Sequence, residues 1–590
     1  MNTLDCGLGN GRPPRVPKLC GMDMELGNFL TGIGPTEGNS AIASRLLLSR
    51  IAGFPKEPGT TSHCQCAMCR QTRQAMKATA AATGGAIATE ADYNPQDVGR
   101  RFLAQNGGCI YIDLDHLELA MPEVLDAYDH VACCRAMLAI AQQAQAEING
   151  RLAAGKRLTV LVNNSDGLGN SYGSHLNILL SRPAWDNVFH RKMHQLLYLA
   201  SFQVASIVLT GQGKVGAENG TPAVAYQLAQ RPDFIETMVG IQTTFRRPIV
   251  NARDESLTGS TVNWRKGGAD GDANPYGRLH VIFYDNNLCQ VAALLKVGLL
   301  QIIAAMIEAE CVNTKWLLED PVAAVVRYSH DPTLRAGARL TSGESLTAVD
   351  LLRHFLDDMQ AFVERGETAG LVPHAAEILH LADDTLQKLA AGDLGAVSGR
   401  LDWVLKAQIL ERAMQRRPQL TWASPELKHL DHLYSSLDPD EGLFWAFERQ
   451  GAVEPVVSPE RVQHFVHEPP ADTRAYTRAM LLRRTGGAQV SLLDWDRIDF
   501  RMYDAESWTT GHRIVDMPDP LRLTKSETEH MFADATRSLG DILEELAPRR
   551  VVRLGRVDRT KRDADEEAAG PVRRSAPLVD SETTSFGTRN

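Results

Sequence analysis

The chain lacks several signatures, and each absence removes a class of function. It has no basic excess: the formal net charge is −10 and the pI about 6.0, whereas affinity for a phosphate backbone needs a basic surface, so no nucleic-acid role is expected. Long apolar runs are missing. The opening MNTLDCGLGNGRPPRVPKLC has no stretch of signal-peptide length, and no later run reaches the roughly 20 apolar residues that span a bilayer. No membrane association is therefore expected, and the location expected is cytoplasmic. Ten cysteines in 590 residues are too sparse for a disulfide scaffold, which leaves reduced thiols as the default. Internal repeats and a dinucleotide fingerprint are also absent. TGQGKVG at Thr210–Gly216 has the wrong glycine spacing for a Walker A loop, and no Ser or Thr follows Lys214.

What is there is an ordinary globular composition, 44% hydrophobic and 23% charged, long enough for one large core and a further domain. Two carboxylate-bearing strands stand out near the start. In GMDMELG, Gly21–Gly27, alternation turns Met22, Met24 and Leu26 one way and Asp23 and Glu25 the other. Two carboxylates side by side on one face call for a cation. NGGCIYIDLDHLELAMPE, Asn106–Glu123, read as one strand, puts Asp113 and Asp115 on one face and His116 and Glu118 on the other, in an otherwise aliphatic run where charge is costly to bury.

Other segments carry polar chemistry. NNSDGLGNSYGSHLNILL, Asn163–Leu180, mixes Gly167, Gly169 and Gly173 with His175, a composition suited to close backbone approach to a ligand. TTFRRPIVNARDE, Thr243–Glu255, gathers Arg246, Arg247 and Arg253, and guanidinium forks suit nucleotide phosphates or a salt-bridged surface. GRLHVIFYDNN places Arg278 and His280 on one strand face. The cluster His63, Cys64, Cys66 and Cys69 offers soft ligands to zinc, but no second CxxC follows, and structural zinc sites take their ligands as two separated pairs. Leu158–Asn164 and Val204–Thr210 read as buried strands, Gln290–Glu310 as a long apolar helix, and Asp331–Arg417 as largely helical.

The expected organisation is a flexible leader at 1–20, a large domain at 21–478 with an inserted loop at 53–85, a small C-terminal domain at 479–548 and a disordered tail at 549–590. The loop is expected to be mobile near the mouth of the site.

Taken in order, the DME strand, NG-x5-D-x4-E, NNSDGLGNSYGSHLN, TGQGKVG, YQLAQRPDFIE, RRPIVNARDE, RLHVIFYDNN, LKVG, LDWVLK, HLDHLYSSLDPDEGL and PPADTRAY resemble the Pup ligase and Pup deamidase (depupylase) family, relatives of glutamine synthetase. The resemblance runs from about Gly21 to Asp499. It implies an α+β fold: a glutamine synthetase-like domain with a curved antiparallel sheet backed by helices, plus a small C-terminal domain. It also implies ATP and Mg2+ as cofactors and a small disordered Pup-like tag, or tagged proteins, as partner. The family's essential aspartate falls on Asp113, its metal-binding residues on Asp23, Glu25, Glu118, His175 and His280, and its phosphate-binding arginines on Arg247 and Arg253, with Arg246 and Asn251 beside them.

TGQGKVG, YQLAQRPDFIE, the VG-x-x-TT segment and the long stretch before Asn106 resemble the deamidase branch. Hydrolysis of the tag's C-terminal amide or of its lysine conjugates is therefore the first reading. A carboxylate–amine ligase and a non-catalytic homologue that binds nucleotide and tag are the alternatives. Departures from the family pattern are Asp23-Met24-Glu25 for ExE and His175-Leu176-Asn177 for HEN, which is expected to remove a carboxylate from the site. Cys109 stands for an Arg, Leu117 for a Pro, and Met238 and Gln242 for Glu.

Overall fold

A computed structural model of the chain describes residues 13–34, 38–55, 98–255, 274–485, 490–504, 509–549 and 551–554. The expected inserted loop with His63, Cys64, Cys66 and Cys69 falls almost wholly outside the described residues, as does most of the tail.

The strands in chain order are β1 (Cys20–Thr31), β2 (Phe54–Pro55), β3 (Val98–Phe102), β4 (Cys109–Asp113), β5 (His116–Ala120), β6 (Arg157–Leu161) and β7 (Ser174–Ser181). A short hairpin of β8 (Lys214–Val215) and β9 (Tyr226–Gln227) precedes β10 (Ile235–Gly240), β11 (Arg247–Asn251) and β12 (Tyr276–Val281). Ten of these form one sheet in the order β10-β11-β12-β7-β1-β5-β4-β3-β2, with β6 pairing the far half of β1. Every pairing is antiparallel except β10 with β11.

One face of this sheet is sealed by helices at Ala127–Asn149, Met193–Thr210 and Gln290–Glu308. Met22, Met24, Leu26, Ile110, Ile112, Leu117, Leu119, Leu176 and Ile178 all enter that core, as alternation along each strand requires. Helix entry is set locally: Asp126 caps the first of these helices by accepting from Tyr128 N–H. The second and third are long and apolar enough to cross a membrane by length and composition, and both are largely buried against the sheet.

Three expectations change. Val204–Thr210 is the last two turns of the Met193–Thr210 helix and not a strand; a short, fully buried apolar run gives no periodic contrast between helix and strand. Asn106–Glu123 is a hairpin and not one strand: Leu114 and Asp115, at φ 43° and 74°, form a two-residue turn joining β4 to β5. The end of the expected leader is fixed, because Lys18 and Glu308 form an ion pair of 2.6 Å with both side chains fully buried, and Arg15 pairs with Glu367.

A second, smaller core lies at the end of the sheet. The helix Ala475–Thr485 leads into a four-stranded sheet of β15 (Val490–Asp494), β16 (Arg497–Asp504), β17 (Thr509–Asp516) and β18 (Val552–Leu554), after the two-stranded β13 (Gly337–Arg339) and β14 (Ser345–Thr347) of the main body. β18 carries this sheet past the expected boundary at 548. The small core takes Phe102, Cys109 and Ala120 from the main sheet, and Glu123 fastens it. Arg478 grips that carboxylate at 2.6 and 3.0 Å and Arg474 at 2.7 Å, a bidentate geometry that strengthens the pair.

Candidate active site

The open face of the sheet, opposite the helices, floors a cleft of about 1020 Å³. Directly opposed residues on paired strands share a face, and the register brings the acidic residues together there. Glu25 faces Glu118 and Asp23 faces His175; Tyr111 faces Glu118 and Asp113 faces His116; His280 faces both Asn177 and Asn251. The hairpin, not a single strand, is what puts Asp113 and Glu118 on one face.

Glu25, Asp113 and Glu118 each bring a carboxylate oxygen within 4.8 Å of the others. Glu25 accepts the Gly173 N–H at 2.5 Å and Glu118 accepts from the Tyr111 hydroxyl at 2.8 Å. The other Glu118 oxygen is buried with no hydrogen-bond partner. Burial first, then the charges of Asp23, Glu25 and Asp113, push Glu118 well above the usual carboxylate range.

Asp23, His175 and His280 lie on the same face but outside that set of three. Asp23 accepts from Asn177 Nδ2 at 3.1 Å, and Asn177 Oδ1 accepts from Arg278 at 3.1 Å and from His280 Nδ1 at 3.0 Å. The two imidazoles pack edge to face at 5.4 Å. Both are held toward the neutral form: His280 by burial and then Arg278, His175 by burial and by Arg231 and Arg247 against the pull of Glu25. Neutral imidazole is the ligating form.

The arginines separate. Arg247 and Arg253 line the cleft. Arg246 does not; it is exposed at φ 46° outside it. Asn251 is buried and does not line the cleft either, since its Oδ1 accepts the Arg253 backbone N–H and its Nδ2 donates to Gln242 O, so it shapes the loop that carries Arg253. Lys214 of TGQGKVG is buried between Asp233 at 2.7 Å and Glu218 at 2.8 Å, a structural cation away from the cleft.

Leu176 corrects another expectation. It pairs with Met22 and Val281 and is 0% exposed in the helix-side core, so a carboxylate at this position would point away from the cleft, and its absence takes nothing from the acidic face.

Residues to which the sequence reading gave no role also line the cleft, His116 among them on the face of Asp113 and not the opposite one. Arg231 is 2% exposed, His116 stacks on Tyr172, and Trp495 comes from the small C-terminal unit. Arg231 was legible only as a lone cation in the buried-type run Gln227–Phe234. Beside the cleft, and sharing Asp23, Arg278 and Trp495 with it, lies a smaller pocket of about 80 Å³ with a mainly apolar wall that includes Leu19, Ile178 and Leu179.

Comparison with known proteins gives this geometry a family. The Pup-ligase protein family matches residues 57–499. The depupylase of Acidothermus cellulolyticus is 34% identical over 454 residues, 76% of this chain and 84% of the relative. The Pup deamidase/depupylase of Mycolicibacterium smegmatis is 33% identical over 443 residues, 75% and 82% of the two chains. A Pup–protein ligase of Paenarthrobacter aurescens is 35% identical over 423 residues, 71% and 86%. Among solved structures, the complex between the prokaryotic ubiquitin-like protein Pup and its ligase PafA matches with a TM-score of 0.66 at 22% identity, covering 95% of this chain and 99% of that one. The Pup ligase PafA in complex with ADP matches at 0.62 and 25% identity, covering 82% and 97%. The large antiparallel sheet with its helical backing is thus the fold of these enzymes, and the chain belongs to the Pup-ligase protein family.

Proposed function

We propose that the chain is an ATP- and Mg2+-dependent amidase or isopeptidase acting on the C-terminal Gln or Glu of a small Pup-like tag, or on its lysine conjugates. The observation that carries this reading is the set of Glu25, Asp113 and Glu118, three carboxylates drawn together at the floor of a large cleft. An all-oxygen donor set with an unpartnered buried Glu118 oxygen fits a hard divalent cation, with Asp23, His175 and His280 at its margin. When bound there with ATP, magnesium supplies charge neutralisation and polarises an oxygen of the reacting group.

The chain's own residues do the rest. Arg247 and Arg253 hold nucleotide phosphates, with Arg278 in the same cleft, and the apolar pocket beside Trp495 takes the base. Asp113, half-buried at the end of β4, attacks the side-chain amide carbonyl or draws a proton from the attacking water. In the first case the tag acyl group is joined to Asp113 as the C–N bond breaks, and water then hydrolyses that anhydride. In the second, water adds directly as the C–N bond breaks. In both, the departing ammonia or lysine amine takes up the proton and the tag is left with a side-chain carboxylate. The hydrolytic direction is supported by the likeness of TGQGKVG, YQLAQRPDFIE and the VG-x-x-TT segment to the deamidase branch.

Ligation is the second reading, favoured by the 35% identity to a Pup–protein ligase. Incubation of purified protein with ATP, magnesium and Pup ending in Gln, followed by mass spectrometry, tests both. Conversion of Gln to Glu, or release of Pup from a lysine conjugate, supports hydrolysis. Accumulation of conjugates with ADP release, and no cleavage, replaces it with ligation.

A further inference from the structure

The carboxylate of Glu25 is aimed by one backbone group. Gly173 donates its N–H to Glu25 Oε2 at 2.5 Å, and the Gly173 carbonyl accepts the Glu25 N–H at 2.9 Å. Any shift of Gly173 is therefore passed to one corner of the acidic set. The segment has little room to move: a Cβ on Gly173 would stand 2.2 Å from His175 Nε2 and 3.0 Å from Arg231 Nη1, so the backbone threads between an imidazole and a guanidinium.

What turns this peptide lies behind the cleft. Asn164 is 0% exposed and does not line the cleft, yet all four of its polar groups are bonded. Its N–H donates to Gln230 Oε1 at 2.7 Å and its carbonyl accepts the Tyr172 N–H at 3.3 Å. Its Oδ1 accepts the Asn286 N–H at 2.7 Å, and its Nδ2 donates to the Tyr172 carbonyl at 3.0 Å. That carbonyl and the Gly173 N–H belong to one peptide group. The group is a rigid plane whose C=O and N–H point in opposite directions, so a bond to the oxygen sets where the N–H points.

Arg231 also reaches the Tyr172 carbonyl, but on a long side chain, whereas Asn164 is short and anchored at both ends of its amide. Asn286 closes the circuit, because its Nδ2 donates to the Glu25 carbonyl at 3.4 Å. The bonds leave the Glu25 carboxylate, pass through the 172–173 peptide, Asn164 and Asn286, and return to the Glu25 main chain.

We propose that Asn164 is a positioning residue for the cation site of Glu25, Asp113 and Glu118: by holding the Tyr172 carbonyl it points the Gly173 N–H, and so the Glu25 carboxylate, at the other two acids. This rests on the cation site proposed above. Asn164 touches neither cation nor substrate, and its effect is on the fit of the donor set. Magnesium demands a near-ideal octahedron, while calcium accepts a larger and looser set of oxygens. A Glu25 free to swing therefore costs magnesium more than calcium.

The test is calorimetric titration of the full chain with magnesium and, separately, with calcium. Asn164→Ala is expected to stay folded by circular dichroism, to weaken magnesium roughly 10- to 100-fold, the range for losing a group that orients a metal ligand, and to weaken calcium by no more than about 3-fold. Asn164→Ser, too short to span Asn286 and Tyr172 together, is expected to do the same and serves if Asn164→Ala does not fold. Equal losses for the two cations overturn the proposal in favour of a purely structural asparagine, since a smaller folded fraction lowers both alike. Unchanged affinity for both overturns it outright. Absence of magnesium binding in the unsubstituted protein overturns the cation site beneath it, an outcome separate from either.

Discussion

His116 stacks on Tyr172 with ring centroids 4.2 Å apart and 28° between planes, and this contact ties the hairpin of Asp113 to the segment of Ser171–His175. The Tyr172 hydroxyl donates to Asn163 Oδ1 at 2.5 Å. It lies 2.3 Å from where a Cβ on Gly27 would stand, so the absence of a side chain at Gly27 lets the ring tuck against β1. Two sequence-distant pieces of the cleft are thereby held to one strand.

Within the hairpin the two aspartates have separate duties. Asp115 occupies the turn at φ 74°, where its backbone carbonyl accepts from Ser44, while Asp113 joins the acidic set. Asp113→Asn is expected to abolish release of ammonia or lysine from a tag conjugate and to leave ATP binding by calorimetry nearly unchanged. Asp115→Asn, which suits a left-handed turn position, is expected to keep most activity. Full activity in Asp113→Asn would remove the proposed role.

Glu118 stands among Asp23, Glu25 and Asp113, so without a cation the site strains against its own charge. Glu118→Gln is expected to raise the melting temperature of metal-free protein while losing the added stabilisation that magnesium gives the parent. An unchanged magnesium response, measured by differential scanning calorimetry, contradicts the cation site.

Leu176 offers the opposite case. Leu176→Glu puts a charge into the helix-side core, where burial without a partner costs several kcal/mol. The expected result is a large drop in melting temperature and no gain in activity. A folded, more active variant would mean that this position reaches the cleft.

The Glu123 clamp predicts acid sensitivity. Burial alone would raise this carboxyl, but Arg478 and then Arg474 outweigh it and hold it at about 2 against an ordinary 4.5. A depressed carboxylate contributes fully above its unfolded value and loses that contribution as pH falls from 4.5 toward 2, about 3 kcal/mol in all. Acid titration followed by circular dichroism is expected to show Glu123→Gln already destabilised at neutral pH and with a shallower loss across that window.

The acidic strand of Asp23 and Glu25 was legible because alternation leaves little choice once Met22, Met24 and Leu26 must be buried. The second acidic segment was legible in content but not in shape: Leu114 carries no turn signature, and its positive φ is one that a leucine seldom adopts. The strand expected at Val204–Thr210 failed because β-branched residues in a fully buried helix look the same from sequence. Arg231 and Trp495 were hidden for a different reason. Their place in the cleft depends on chain segments meeting in space, through the Tyr172 carbonyl for one and the Arg478 grip on Trp495 O at 2.8 Å for the other.

Cys109 and Ala120, which enter the small C-terminal core, share the sheet face of Tyr111, Asp113 and Glu118. The C-terminal unit is therefore an end wall, and the cleft is the part of that face it leaves open. Tyr111 already packs against that wall, and moving it two residues farther along β4 would bring it onto Asp113. Exchange of segment 475–554 between relatives should thus re-cut the length of the trough and the size of molecule it admits, with every acidic side chain on the floor left as it was.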